Sequence, residues 1–128
     1  MGSFRMLVVD DEEPILFAMR EYFAQCGYSV DCARELEEAE ALILQYRYDI
    51  VVADLRLTDA YAAEGLTLLA HIRECASQTP VILLTAYGSP AVEREARRLG
   101  VVHVLQKPAP LPEVARIVFG LLGPGTES

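Results

Sequence analysis

The chain has 128 residues, enough for one domain with a sizeable core and no need of disulfide or metal staples. Its composition, 52% apolar and 23% charged, is that of an ordinary soluble globular protein and excludes the disordered and fibrous classes. With 11 basic against 19 acidic residues the net charge is −8, which repels a phosphate backbone and argues against nucleic-acid binding by this domain. No apolar run approaches the ~20 residues that span a bilayer, so no membrane contact is expected. Nothing at the N-terminus reads as a signal peptide, and a cytoplasmic location is the default.

The first predicted strand, RMLVV (Arg5 to Val9), runs straight into four acidic residues, Asp10 to Glu13. Adjacent carboxylates raise each other's cost of ionisation, so this strand end implies a cation or a partner. Pro14 suits a first helical position, Ile15, Met19, Tyr22 and Phe23 make an apolar stripe, and Gly27 supplies the stop. YSVDC (Tyr28 to Cys32) is the second strand, and Leu36, Ala39 and Ile43 mark the helix after it. DIVVA (Asp49 to Ala53) precedes a helix carrying Leu66, Leu69 and Ile72. PVILL (Pro80 to Leu84) precedes one carrying Val92, Ala96 and Leu99, which ends before Gly100. VVHVL (Val101 to Leu105) is the fifth strand, and Leu111, Val114, Ile117, Val118 and Leu121 mark the last helix.

These strands are short, rich in Val and Ile, and several are continuous rather than alternating, the pattern of strands covered on both faces. Five strand and helix pairs in strict alternation predict an α/β fold, a parallel sheet with helices on both faces and right-handed crossovers. Residues 4–122 read as one domain, with 123–128 as a disordered tail or the start of a linker. Cys26, Cys32 and Cys75 are an odd set without CxxC spacing and read as reduced, mostly buried thiols.

In open sheets of this kind the ligand site lies beyond the carboxyl ends of the strands. The residues there are Asp10 and Asp11 after the first strand, Asp54 after the third, Thr85 after the fourth and Lys107 after the fifth. The second strand exits into ARELEE, which offers nothing comparable. Any one of these residues is weak evidence, but three carboxylates, a hydroxyl and an ammonium on one edge suit phosphoryl transfer to a carboxylate. Asp10 and Asp11 offer hard oxygen ligands to a magnesium ion. Asp54 can act as a nucleophile, with Lys107 and Thr85 placed to engage the oxygens of the transferring group.

In order along the chain, VVDDEEP, VVADLRL, VILLTAYG and VLQKP make the sequence resemble the receiver domains of bacterial two-component response regulators over nearly its whole length. The resemblance implies a flavodoxin-like, doubly wound five-stranded sheet in the order 2-1-3-4-5 with five helices. It also implies magnesium dependence and uptake of a phosphoryl group from a histidine kinase or phosphotransfer protein. By that resemblance Asp54 is the phosphoacceptor, Asp10 and Asp11 the acidic pair, Thr85 the switch hydroxyl and Lys107 the phosphate-binding lysine. The backbone carbonyl of Arg56 completes the metal shell, and the Lys107-Pro108 bond is cis. Such a domain assists its own phosphorylation and dephosphorylation without being a conventional enzyme. It signals to an output domain or a second copy through the surface of its fourth helix, fifth strand and fifth helix. Arg56 and Tyr87 flank the path of a hydrolytic water.

The chain departs from the family pattern in three places. LTDAYAAEG after Asp54 is longer than the usual turn and has no Pro, Val104 stands where Tyr or Phe is common, and Ala109 where Phe is. His71 and His103 read as surface or edge residues. The fourth helix, SPAVEREARRLG, has few apolar residues and should pack lightly, and Arg94, Arg97, Arg98 and Arg116 suggest a basic patch on an acidic domain.

Three rival readings fare worse. A receiver-like domain that is never phosphorylated should have lost a site residue, and all five are present. A haloacid-dehalogenase phosphatase needs DxD and a larger chain. A flavin-binding relative needs a Ser/Thr/Gly-rich loop where this chain has DDEE.

Overall fold

The computed structural model describes residues 4–54, 62–85 and 89–123. The elements are β1 (Arg5–Val9), α1 (Glu13–Gln25), β2 (Ser29–Ala33), α2 (Leu36–Gln45), β3 (Ile50–Asp54), α3 (Ala62–Cys75), β4 (Val81–Thr85), α4 (Pro90–Arg98), β5 (Val101–Gln106) and α5 (Leu111–Leu122). All neighbouring strands are parallel, in one sheet ordered β2-β1-β3-β4-β5. This is the expected doubly wound, flavodoxin-like topology.

Side chains alternate across the sheet, and both faces are covered. Met6, Val8, Ile50, Val52, Ile82 and Leu84 pack against Leu16, Met19 and Phe23 of α1 and Val114 and Val118 of α5. Leu7, Val9, Val51, Ala53 and Leu83 meet Ala39 and Ile43 of α2, Leu68, Leu69 and Ile72 of α3, and Ala96 of α4. Each large side chain so buried contributes about 1.5–3 kcal/mol, which is why the strands are continuous apolar runs.

Three strands lie one residue further along than the apolar pattern suggests. β2 is Ser29–Ala33, and β3 and β4 end on Asp54 and Thr85 rather than before them. Asp54 pairs with Leu84 and Thr85 with Gln106 in the ladder. Backbone pairing does not depend on side-chain polarity, so the ladder continues where the apolar run stops. Both polar side chains are therefore held on the last rungs of the sheet.

At the opposite edge, Gly27 leaves α1 with a φ of 94° and turns the chain into Tyr28. The Tyr28 hydroxyl donates to the carbonyl of Gly123, just past α5, at 2.6 Å. Its ring sits among Phe4, Phe23 and Phe119, with centroids 5.6–6.0 Å away. The end of α5 is thereby pinned to the amino-terminal edge of the sheet.

α4 packs lightly, as its composition suggests: Ala96 is its only buried residue, and Val92 is partly buried against the core. Its start depends on Ser89, whose Oγ accepts the Val92 N–H at 3.1 Å, followed by Pro90 at the first helical position. Replacing Ser89 with Ala should destabilise this helix by about 1 kcal/mol. Because so little of α4 is buried, the loss should appear as faster amide exchange within 90–98, with a small change in the global melt. Equal exchange rates in parent and variant would show that the cap is dispensable.

Candidate functional site

The carboxyl ends of β1, β3 and β4 and the turn after β5 meet at one edge of the sheet. Asp10 follows β1, and its backbone N–H donates to the Ala33 carbonyl at 3.0 Å, tying the turn to the end of β2. Its Oδ1 accepts the Glu12 N–H at 2.9 Å, just before α1 begins. The residue is only 2% exposed, and its Oδ2 is buried without a hydrogen-bond partner. Burial, followed by hydrogen bonding with Asp54 and the Asp54 charge, pushes the Asp10 carboxyl up to about 7, against the lowering influence of the Glu12 N–H and Lys107. With that proton Asp10 can bond to the Asp54 carboxylate; without it, Oδ2 is an uncompensated buried oxygen.

Asp54, on the last rung of β3, accepts a hydrogen bond at Oδ2 from Nζ of Lys107, and the two form an ion pair. The side chains are 13% and 29% exposed, so solvent screens this contact only in part. Burial lowers the Lys107 pKa, but the Asp54 hydrogen bond and the charges of Asp54, Asp10 and Glu12 outweigh it and raise it overall, keeping the ammonium charged. Lys107 is aimed by its backbone: its N–H donates to the Thr85 carbonyl at 2.9 Å, and the Lys107-Pro108 bond is cis. Thr85 is buried, 2% exposed, on the rung beside these groups.

Of the residues expected from sequence, Asp54 thus meets both Lys107 and Asp10, with Thr85 on the neighbouring strand end. Asp11 lies at the exposed rim. Arg56 and Tyr87, and most of the loop after Asp54, lie outside the described residues. Among the described residues no three His, Cys, Asp or Glu side chains form a ready-made metal cage. The donors present do fit a hard cation, because Asp10 Oδ2 is a buried oxygen lacking a partner beside a second carboxylate. Magnesium also typically takes only one or two carboxylates and keeps several waters.

Sequence reasoning missed Arg34. It lies just past β2 and its Nη1 donates to Glu13 Oε2 at 3.1 Å, so the strand exit credited with nothing neutralises one member of the acidic run. The signal was a basic residue at the exit of the strand beside β1. His103 is exposed, opposite Ile82 in the ladder, in keeping with its surface reading. Val104 is partly buried against the core on the α2–α4 face, and Ala109 against the α1 and α5 face. The basic patch is partly neutralised: Arg98 pairs with Glu95 at 3.0 Å and Arg116 with Glu113 at 3.9 Å. The buried-thiol reading fails for Cys75, which is exposed, while Cys26 and Cys32 are half-buried. Cys75 ends α3, past Ile72, the last residue that this helix buries in the core.

Comparison with known proteins agrees with this geometry. The family model described as the response regulator receiver domain matches residues 6–119. The chain is 31% identical over 118 residues to the response regulator protein PilR of Pseudomonas aeruginosa, covering 92% of this chain and 26% of PilR. It thus spans about a quarter of that curated relative. A response regulator from Burkholderia pseudomallei, solved with a phosphorylated aspartic acid, calcium ion and citrate, superposes with a TM-score of 0.77 at 28% identity, covering 92% of this chain and 66% of that one. The beryllofluoride-activated NtrC4 receiver domain dimer gives 0.76 at 30% identity, covering 91% and 95%. No described helix is long and apolar enough to cross a membrane. A domain-wide sequence match, the strand order 2-1-3-4-5 and a strand-end aspartate paired with a lysine together place this chain in the response regulator receiver domain family.

Proposed function

We propose that Asp54 accepts a phosphoryl group from the phosphohistidine of a sensor kinase or phosphotransfer protein in the cytoplasm. An Asp54 oxygen bonds to phosphorus, the phosphorus–nitrogen bond breaks, and the imidazole leaves as it takes up a proton. The observation that carries this reading is the Lys107 to Asp54 ion pair beside the partnerless Asp10 oxygen. It supplies a nucleophile, a cation and a second carboxyl side by side.

Asp10, Asp11, Asp54 and the Arg56 carbonyl would hold magnesium, whose contribution is to offset charge on the phosphoryl oxygens. Lys107 then exchanges its contact with Asp54 for one with the phosphoryl group, and Thr85 donates to another of its oxygens. Because Thr85 ends β4 and its carbonyl holds the Lys107 N–H, movement at either residue passes directly to the other strand. The light packing of α4 suits it to respond. The surface of α4, β5 and α5 would carry the change to an output domain or a second copy, a reading supported by similarity to a receiver solved as an activated dimer.

The test is mass spectrometry after exposure to acetyl phosphate, with and without magnesium. One phosphate added only when magnesium is present is the expected result. No addition, or addition indifferent to magnesium, would overturn the assignment.

A further inference from the structure

On α3, away from the acidic pocket, Cys75 Sγ and His71 Nε2 face each other at 3.7 Å across one helical turn. Residues four apart share a helix face, the same spacing by which paired histidines on one helix bind zinc. Tetrahedral zinc takes sulfur at about 2.3 Å and nitrogen at about 2.0–2.1 Å, so its two ligand atoms stand about 3.6 Å apart. The observed separation is already close to that bite. Cys75 is exposed and His71 half-buried, so an ion can reach the pair. The donors, a thiolate and an imidazole, are those that favour zinc over magnesium, and the acidic pocket is the reverse.

From this geometry we propose that His71 and Cys75 form a two-ligand site for zinc or a similarly thiophilic divalent cation, with water in the remaining positions. The site is independent of the phosphoacceptor assignment and stands whether or not Asp54 is phosphorylated.

The experiment titrates the full chain with cobalt as a spectroscopic stand-in for zinc, in excess magnesium to occupy the carboxylates. A thiolate-to-metal absorption should appear, vanish in Cys75→Ser, and persist in Cys26→Ser. In His71→Gln it should require about tenfold more cobalt, because one arm of the chelate is gone. In parallel, zinc should protect Cys75 but not Cys26 or Cys32 from iodoacetamide, read peptide by peptide by mass spectrometry. Circular dichroism establishes that each variant is folded, and if His71→Gln is not, His71→Asn takes its place. Absorption that survives Cys75→Ser, an affinity unchanged by loss of His71, or absence of any absorption would each overturn the proposal.

Discussion

Asp54→Asn should leave the domain folded and abolish phosphate uptake from acetyl phosphate. The amide nearly matches the carboxylate in size and keeps an oxygen for Lys107 Nζ, so the sheet end is preserved, but it is a poor nucleophile. Loss of the attacking group should lower the rate by several orders of magnitude, on the scale seen when a nucleophile is removed from an active site. Its metal-free stability should change little, because loss of the Lys107 ion pair is offset by relief of the Asp54 charge beside the buried Asp10 carboxyl. Intact-mass measurement decides the first point and a thermal melt the second. A variant that still gains phosphate would move the acceptor to another residue.

Neutralising Asp10 should have the second largest effect, and one that depends on pH. Burial, the Asp54 hydrogen bond and the Asp54 charge hold this carboxyl near 7 in the folded protein, whereas in the unfolded chain it titrates near 3.9. Between those values the folded state keeps a proton that the unfolded state has lost. The metal-free parent should therefore lose stability as pH rises from about 4 to about 7, and level off above that. Asp10→Asn removes this slope and should raise metal-free stability by about 1–2 kcal/mol at pH 8, discounting the full shift for solvent near the pocket. The same substitution should weaken the added stability from magnesium, because that gain exists only to the extent that the folded state binds the ion. Melts across pH, with and without magnesium, test all three statements. A parent curve flat from pH 4 to 7 would contradict the reading of Asp10.

Much of this was legible from residue order. Five apolar runs alternating with five amphipathic patterns require a covered parallel sheet, and such a sheet collects its chemistry at strand exits. Strand ends were less legible, because Asp54 and Thr85 are polar and break the apolar signal one rung before the hydrogen-bond ladder stops. The ion pair of Lys107 with Asp54 joins residues 53 apart in sequence, and no local pattern encodes it. Asp10's raised pKa depends on how deeply its carboxyl is buried, which the four-residue acidic run does not reveal. His71 and Cys75 were readable separately. Their shared helix face was less legible, because it borders the core stripe of Leu68 and Ile72, which explains the apolar pattern by itself.

The hydrogen bond from Tyr28 to Gly123 fixes the end of α5. α5 runs back against the strands, so its end lies at the edge where the strands begin, roughly the length of a five-residue strand, about 17 Å, from the Asp54 carboxylate. The aromatic cluster around Tyr28 holds that end still. A phosphoryl group on Asp54, as proposed, would lie out of contact with this end of the helix. Under the proposed function, a change at Asp54 would therefore be read on the flank formed by α4 and β5, beside the site, and not at this end of α5.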